Sequence, residues 1–478
     1  MNIVELIMTE NSDHGGVALV EGGRSVPYPE LFRDVRSVAR QLEIVGVKKG
    51  IYVAICLRGG VDYIIISLAV LLCGGVIVPI IETAGEEETR DVLRTAGVEM
   101  LISCRRLTGL QEVIFDSGIL PKTIFIFRTE QSAMRDQRTQ AIDAAFVRFS
   151  SGTTGASKGV VLSHRAIQER TDAADQALKM TRHDRVIWVL NMSFHFVVTI
   201  LLFLRRGVTI VICEDDFPRS FIHSITEGMP TFLYASPFHY SLLAKTEGLS
   251  KSIFKNVRMA ISTAMSLSIE TAENFYAVSG IYPSQAYGII EVGLPCVNTS
   301  QSSAKLLSVG KVLPDYQLKL SDPDAKGRGC IFLKGKGLFD AYLQPTRLAE
   351  EVLIDGWFDT GDIGGLDEEG CLFITGRTKN VINFCGMKIF PEEVEAVLNR
   401  YPGIKESRVY GKKHFQYGQI VCADIVAAGS MVLDDLRLDC YRKLAKYKVP
   451  KEFAFVGVLP KTTSGKVRAD NLSYKFEV

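Results

Sequence analysis

The sequence predicts an α/β fold: a large N-terminal lobe of doubly wound sheets with a small barrel-like subdomain, then a small α+β domain at the C-terminal end. Three observations carry this expectation. Strand-length apolar runs alternate with helical patterns over roughly the first 300 residues, as parallel strands covered by helices require. Beyond that point the runs shorten, and glycine and proline turns multiply. At 478 residues the chain is also too long for one hydrophobic core, so more than one domain is expected.

The elements follow in order. PELFRDVRSVARQLEIVG has apolar residues at helical spacing, with Gly46 as its stop. YVAICL is a short apolar strand. The run YIIISLAVLLCGGVIVPII, residues 63 to 81, has the length of a membrane span. Gly74, Gly75 and Pro79 split it, and a buried helix feeding a buried parallel strand is the better reading. VEMLIS, KTIFIF, VTIVIC and TFLYAS repeat the strand signal.

Later, KLLSVGKVLPDYQLKLSD and GRGCIFLKG are short strands between turns, as in a small barrel or distorted sheet. LDEEGCLFITGR reads as a hairpin around DEEG. In PEEVEAVLNRYPG, Pro391 suits the first helical position and the glutamates suit the positive helix end. Val394, Val397 and Leu398 make its apolar face. A last helix runs to KYKVP, where Pro450 ends it, and the strand FAFV follows. The boundary falls near 376–380, which divides the chain into 1–378 and 379–478.

Composition narrows the function classes. A net charge of +1 gives no electrostatic reason to expect nucleic acid or an anionic membrane. The ten cysteines form no CxxC pair and no Cys/His cluster at zinc spacing. The opening MNIVELIMTENSDHGG lacks the apolar core of a secretory signal. Free thiols in a reducing cytoplasm are the expectation.

One stretch stands apart: FSSGTTGASKG, residues 149 to 159, follows the strand AAFVRF and precedes another strand and helix. Its glycines let backbone N–H groups turn toward an anion, its hydroxyls add donors, and Lys158 adds charge. It is not a Walker loop, because Ser157 and Gly159 stand where glycine and serine or threonine are needed. By composition it fits a polyphosphate cradle or a flexible linker equally well.

The company it keeps decides. FSSGTTGASKGVVLSH, QAYGIIEVG, GWFDTGDIG, GRTKNVINFCGMKIFPEEVE and LPKTTSGKVR occur in that order. Together they resemble the adenylate-forming superfamily of acyl- and aryl-CoA ligases, luciferases and peptide-synthetase adenylation domains. The resemblance covers nearly the whole chain. It implies that ATP and a carboxylic acid form an acyl-adenylate with loss of pyrophosphate, and that the acyl group then passes to a thiol. Two anions meet in the first step, so cations and hydrogen-bond donors must offset their repulsion.

The resemblance also implies roles. Ser151, Gly152, Thr153, Thr154, Gly155 and Lys158 belong to the loop over the β- and γ-phosphates. Tyr287 and Gly288 lie at the adenine, and Glu291 is the magnesium ligand, a carboxylate suited to that hard cation. Asp362 and Arg377 contact the ribose. Lys466 is the catalytic lysine that bridges carboxylate and phosphate, His195 is the gate beside the acyl carbonyl, and Phe196 and Gly386 line the substrate and thiol channel. Lys379 is the hinge between an adenylation domain, 1–378, and a mobile domain, 379–478, so that one site serves two steps in turn.

Three departures bear on the chemistry. Ile290 stands where the family has a threonine that donates toward the α-phosphate, Ser157 replaces a proline, and STAMS at 262–266 replaces a GGAP-like segment. Amino-acid-activating relatives place an aspartate directly after the gate. Phe196 leaves a substrate ammonium unpaired there, so an apolar aryl or aliphatic acid is expected. The thiol is coenzyme A or the phosphopantetheine of a carrier protein, with Lys405, Arg408, Lys412 and Lys413 as cations for the CoA phosphate. A third reading, suggested by Ile290, is a nucleotide- or acyl-binding protein of impaired catalysis.

Overall fold

The computed structural model describes residues 1–115, 118–121, 123–129, 136–149, 158–213, 217–384, 387–414, 417–429, 431–444, 446–461 and 467. Two compact units emerge. The first takes in Met1–Ser150, Lys158–Gln317 and Leu333–Phe358, and the second includes Leu318–Phe332 and Asp359–Val478.

The first unit is built on two nine-stranded sheets. In one, Ala144–Phe149, Val76–Pro79, Tyr52–Cys56 and Met100–Ser103 run parallel in that spatial order. In the other, Ser284–Ile289, Met259–Ser262, Phe232–Ala235, Arg185–Trp188, Thr209–Ile212 and Val17–Glu21 do the same. Antiparallel strands extend both edges of each sheet, so the parallel pattern read from the sequence describes their interiors.

The run 63–81 divides as its glycines require. Val61–Leu72 is a buried helix and Val76–Pro79 a strand, with Gly74 at φ +74° between them. Among the described residues no helix is long and apolar enough to cross a membrane. The described cysteines are free thiols.

Residues after about 300 supply a four-stranded sheet of Tyr316–Ser321, Gly329–Gly335, Phe358–Leu366 and Leu372–Arg377. The hairpin read in LDEEGCLFITGR is present, Leu366 pairing with Leu372 across the Asp367–Cys371 turn. The C-terminal α+β unit has five strands with the helices Pro391–Leu398 and Leu433–Lys443. Val394 and Leu398 are fully buried against Ile382, Val421 and Leu436, as the helical spacing of PEEVEAVL predicts.

Candidate active site

In open α/β sheets, ligand-binding loops leave the carboxyl ends of parallel strands, where strand polarity lets a crevice form. Two candidate positions of the first unit sit in this way: the turn carrying His195 follows Arg185–Trp188, and Glu291 follows Ser284–Ile289.

Glu291 occupies the tip of a hairpin whose last paired residues are Ile289 and Gly293. The strand bulges at Gly288, where an added Cβ would lie 2.9 Å from the Gly293 carbonyl oxygen, so a side chain there is excluded. The tip is pinned from three directions. The fully buried Arg170 donates from Nη1 to the Ile290 carbonyl at 3.0 Å and from Nε and Nη2 to the Gly337 carbonyl at 3.0 and 2.5 Å. The Phe339 amide donates to the Glu291 carbonyl at 2.8 Å, and the Tyr316 hydroxyl to the Val292 carbonyl at 3.3 Å. Gly337 is at φ +67°, and a Cβ there would meet the Arg170 backbone nitrogen at 2.7 Å. Only glycine admits the arginine so closely.

The Glu291 side chain has its own partner. Its Oε1 accepts the buried Tyr342 hydroxyl at 3.0 Å, and the Lys158 ammonium lies 4.7 Å from the centre of the Tyr342 ring. Burial first, and the Glu291 charge second, raise the Tyr342 phenol far above its ordinary range, so it stays a donor. Ser163 donates to Asp340 from its amide at 2.6 Å and from its hydroxyl at 3.0 Å, which anchors the strand Ala341–Tyr342 on Gly159–Ser163. No described residue is hydrogen-bonded to Glu291 Oε2. Magnesium is commonly held by one or two carboxylates, with substrate phosphates and water completing its shell. A single glutamate with a free oxygen fits that donor set.

His195 and Phe194 are half-buried in the turn after Trp188, and the Thr199 hydroxyl donates to the His195 carbonyl at 2.8 Å. Phe196 is 2% exposed, stacked on Phe146 and edge-on to Tyr63, so it is core packing beside the turn. Tyr287 is buried in the strand, opposite Cys296. Arg148, which sequence reasoning passed over, reaches this turn. It donates from Nη1 to the Phe194 carbonyl, and its guanidinium lies 5.3 Å from the centre of the Phe194 ring. Burial pulls its pKa down to about 10, opposed by the Glu291 and Tyr63 charges.

The second unit carries Asp362 and Arg377 directly opposite each other in the register of one hairpin. Asp362 is 3% exposed, and its Oδ1 lies 2.8 Å from Nε of the half-exposed Arg377. The turn before it is tied locally. The Gly361 amide donates to Asp359 Oδ1 at 2.9 Å, the Asp362 amide to Thr360 Oγ1 at 3.0 Å, and the Thr378 hydroxyl to the Gly361 carbonyl at 3.0 Å. The backbone of Lys379 lies in the short turn Thr378–Asn380 that follows.

Of the four basic residues expected to meet a CoA phosphate, Arg408 is unsuited. It is 5% exposed and paired with Asp424 at 2.5 Å. Lys412 is engaged by Glu452 at 2.8 Å, while Lys405 and Lys413 are exposed. Ser151, Gly152, Thr153, Thr154, Gly155, Gly386 and Lys466 lie outside the described residues. No local pattern marks Tyr342 or Arg170, because their partners in the Glu291 turn stand 51 and 120 residues away along the chain.

Comparison with known proteins places these motifs in context. A model of the AMP-binding enzymes matches residues 9–343, and one of the AMP-binding enzyme C-terminal domain matches residues 393–466. A 2-succinylbenzoate–CoA ligase of Listeria monocytogenes is 28% identical over 468 residues, covering 96% of this chain and 97% of that one. A 4-chlorobenzoate–CoA ligase of Arthrobacter is 26% identical, covering 95% and 91%. Among solved structures, ATP-bound MatB from Rhodopseudomonas palustris superposes with a TM-score of 0.84 at 24% identity, covering 98% and 97%.

Proposed function

We propose, on the premise that this chain belongs to the AMP-binding enzyme family, that it activates a carboxylic acid as its acyl-adenylate and transfers the acyl group to coenzyme A. What carries the reading is the near full-length likeness to acid–CoA ligases, on a chain whose Glu291 turn is held as a phosphate-facing site needs. In the first step a carboxylate oxygen attacks the α-phosphorus and pyrophosphate leaves. In the second a thiol sulfur attacks the acyl carbon, AMP leaves, and the thiol proton passes to solvent.

The residues take these roles in the proposal. Ser151, Gly152, Thr153, Thr154, Gly155 and Lys158 cover the β- and γ-phosphates. Glu291 holds magnesium, which supplies charge neutralisation at the polyphosphate. Tyr342 orients Glu291, Tyr287 and Gly288 border the adenine, and Asp362 with Arg377 holds the ribose. Lys466 bridges carboxylate and phosphate oxygens as charge develops, and His195 stands at the acyl carbonyl. Domain 379–478 turns about Lys379 against domain 1–378, so that Gly386 replaces Lys466 for thiol transfer. The family models leave the stretch between 343 and 393 unmatched, and the proposed hinge falls inside it. A reducing cytoplasm suits the free cysteines.

The test is pyrophosphate exchange across a panel of aryl and aliphatic acids, followed by mass analysis of products formed with CoA or with a holo carrier protein. Acyl-CoA with acid-dependent exchange is the expected result. Acyl transfer to the carrier alone would reassign the thiol, and exchange with no acid would sink the activation reading.

A further inference from the structure

Guanidinium groups in the first unit are generally matched to acceptors. The buried Arg205 meets Glu10 at 2.7 Å and Asp172 at 3.0 Å, the half-buried Arg206 meets Asp175 at 2.7 Å, and the exposed Arg258 meets Asp184 at 2.9 Å. Arg170 has no carboxylate, yet carbonyl oxygens take its Nε, Nη1 and Nη2. Arg148 is different. Among the described residues it bonds only the Phe194 carbonyl, and its buried Nε has no acceptor. Arg148 as a whole is half-buried, yet a guanidinium nitrogen stripped of water and left without an acceptor is costly, so a fold that keeps one either spends stability at that point or reserves the group for a ligand.

Its position favours a ligand. Arg148 is next to last in the strand that runs into the 150–157 stretch, its guanidinium lies on Phe194, and Glu291 is within its electrostatic reach. Phe194 directly precedes His195. Arg148 therefore stands among the positions assigned to the phosphates, the metal and the acyl carbonyl. The planar fork of a guanidinium matches the two oxygens of a carboxylate.

We infer that Arg148 binds a carboxylate of the acid substrate, an inference that rests on the acid-activating reading above. That carboxylate is either the one being activated or a second one on the same acid. If it is the first, Arg148 adds a positive group to a site where Ile290 has removed a hydroxyl donor.

Calorimetric binding to the full chain in the presence of AMP tests this. The probes are a series of aryl monocarboxylic acids, their primary amides, and dicarboxylic analogues with their half-esters. The wild-type chain is expected to favour the carboxylate over its neutral counterpart by about 10- to 100-fold. Arg148→Met is expected to abolish that preference, and Arg148→Lys to restore part of it. Loss with every acid identifies the reacting carboxylate, and loss confined to the dicarboxylic acids identifies the second one. An unchanged ratio in Arg148→Met overturns the inference. If that variant does not fold, a wild-type ratio near one does the same. Pyrophosphate exchange run in parallel separates the two readings: discrimination by Arg148 without exchange supports the inference and counts against activation alone.

Discussion

Glu291 and Asp362 are the two carboxylates proposed to meet ATP or its metal, and the chain presents them in opposite ways. Asp362 is held by its own neighbourhood: a partner across one hairpin, and a turn tied by Asp359, Thr360 and Thr378. Glu291 is held by distant groups. Arg170 comes from the helix His164–Leu178, and Tyr342 from a strand laid against Gly159–Ser163. The ribose contact proposed for Asp362 would need one fixed carboxylate, which a hairpin supplies locally. The metal- and phosphate-facing role proposed for the Glu291 turn would require it to withstand repulsion between anions, and its backbone is anchored by donors that only a finished fold brings together.

This contrast can be broken or sharpened by substitution, and the largest effect is expected at Lys466. Lys466→Ala should lower pyrophosphate exchange about 10²- to 10³-fold, while thioester formation from a supplied acyl-adenylate stays largely intact. Equal loss of both steps would count against alternation between Lys466 and Gly386. Arg170→Met should next cost about 3 kcal/mol, because two buried carbonyls lose their donor. Urea denaturation measures it, and the variant should also need more magnesium for half-maximal exchange. A loss under about 1 kcal/mol would mean that the turn holds itself, as the Asp362 turn does.

A third substitution probes the second unit. Glu395 accepts the Val409 amide at 2.7 Å, and burial raises its pKa to about 7, with Glu392 adding to the rise. Its unfolded value is near the ordinary 4.5, so between those values the folded chain binds more protons than the unfolded one. Stability contributed by this group is therefore full below pH 4.5, falls as the pH rises toward 7, and is flat above. Glu395→Gln keeps the acceptor and removes the titration. It should flatten that decline by about 2 kcal/mol after solvent screening, read from denaturation midpoints at pH 5 and pH 8. An unchanged slope would place the pH dependence elsewhere. The smallest effect is expected from Tyr342→Phe, which deletes one hydrogen bond to Glu291 and should cost about 1 kcal/mol. It should appear as a modestly higher magnesium requirement for half-maximal exchange with little change in melting temperature; a large melting shift would make Tyr342 a packing residue.

The same contrast explains what could be read in advance. The hairpin of LDEEGCLFITGR, the split of residues 63–81 and the helix in PEEVEAVL are short-range facts of turn chemistry and hydrophobic period, and each is present. Arg408 is not the surface cation its basic neighbours suggest, because Asp424 on the neighbouring strand takes it and nothing local announces that. The place of Phe196 after His195 is visible in the sequence, but its stacking on Phe146 and edge-on contact with Tyr63 are not.

By itself the sequence determined the class of fold and the ordered motifs, because strand and helix periods and turn residues act over a few positions. Only the tertiary structure decided that Arg170 and Tyr342 secure Glu291, and that the half-buried Arg148 reaches the Phe194 turn with its Nε buried and unmatched. Those outcomes depend on which groups burial strips of water and which partners then lie within hydrogen-bond distance. A spacing along the chain does not contain that information.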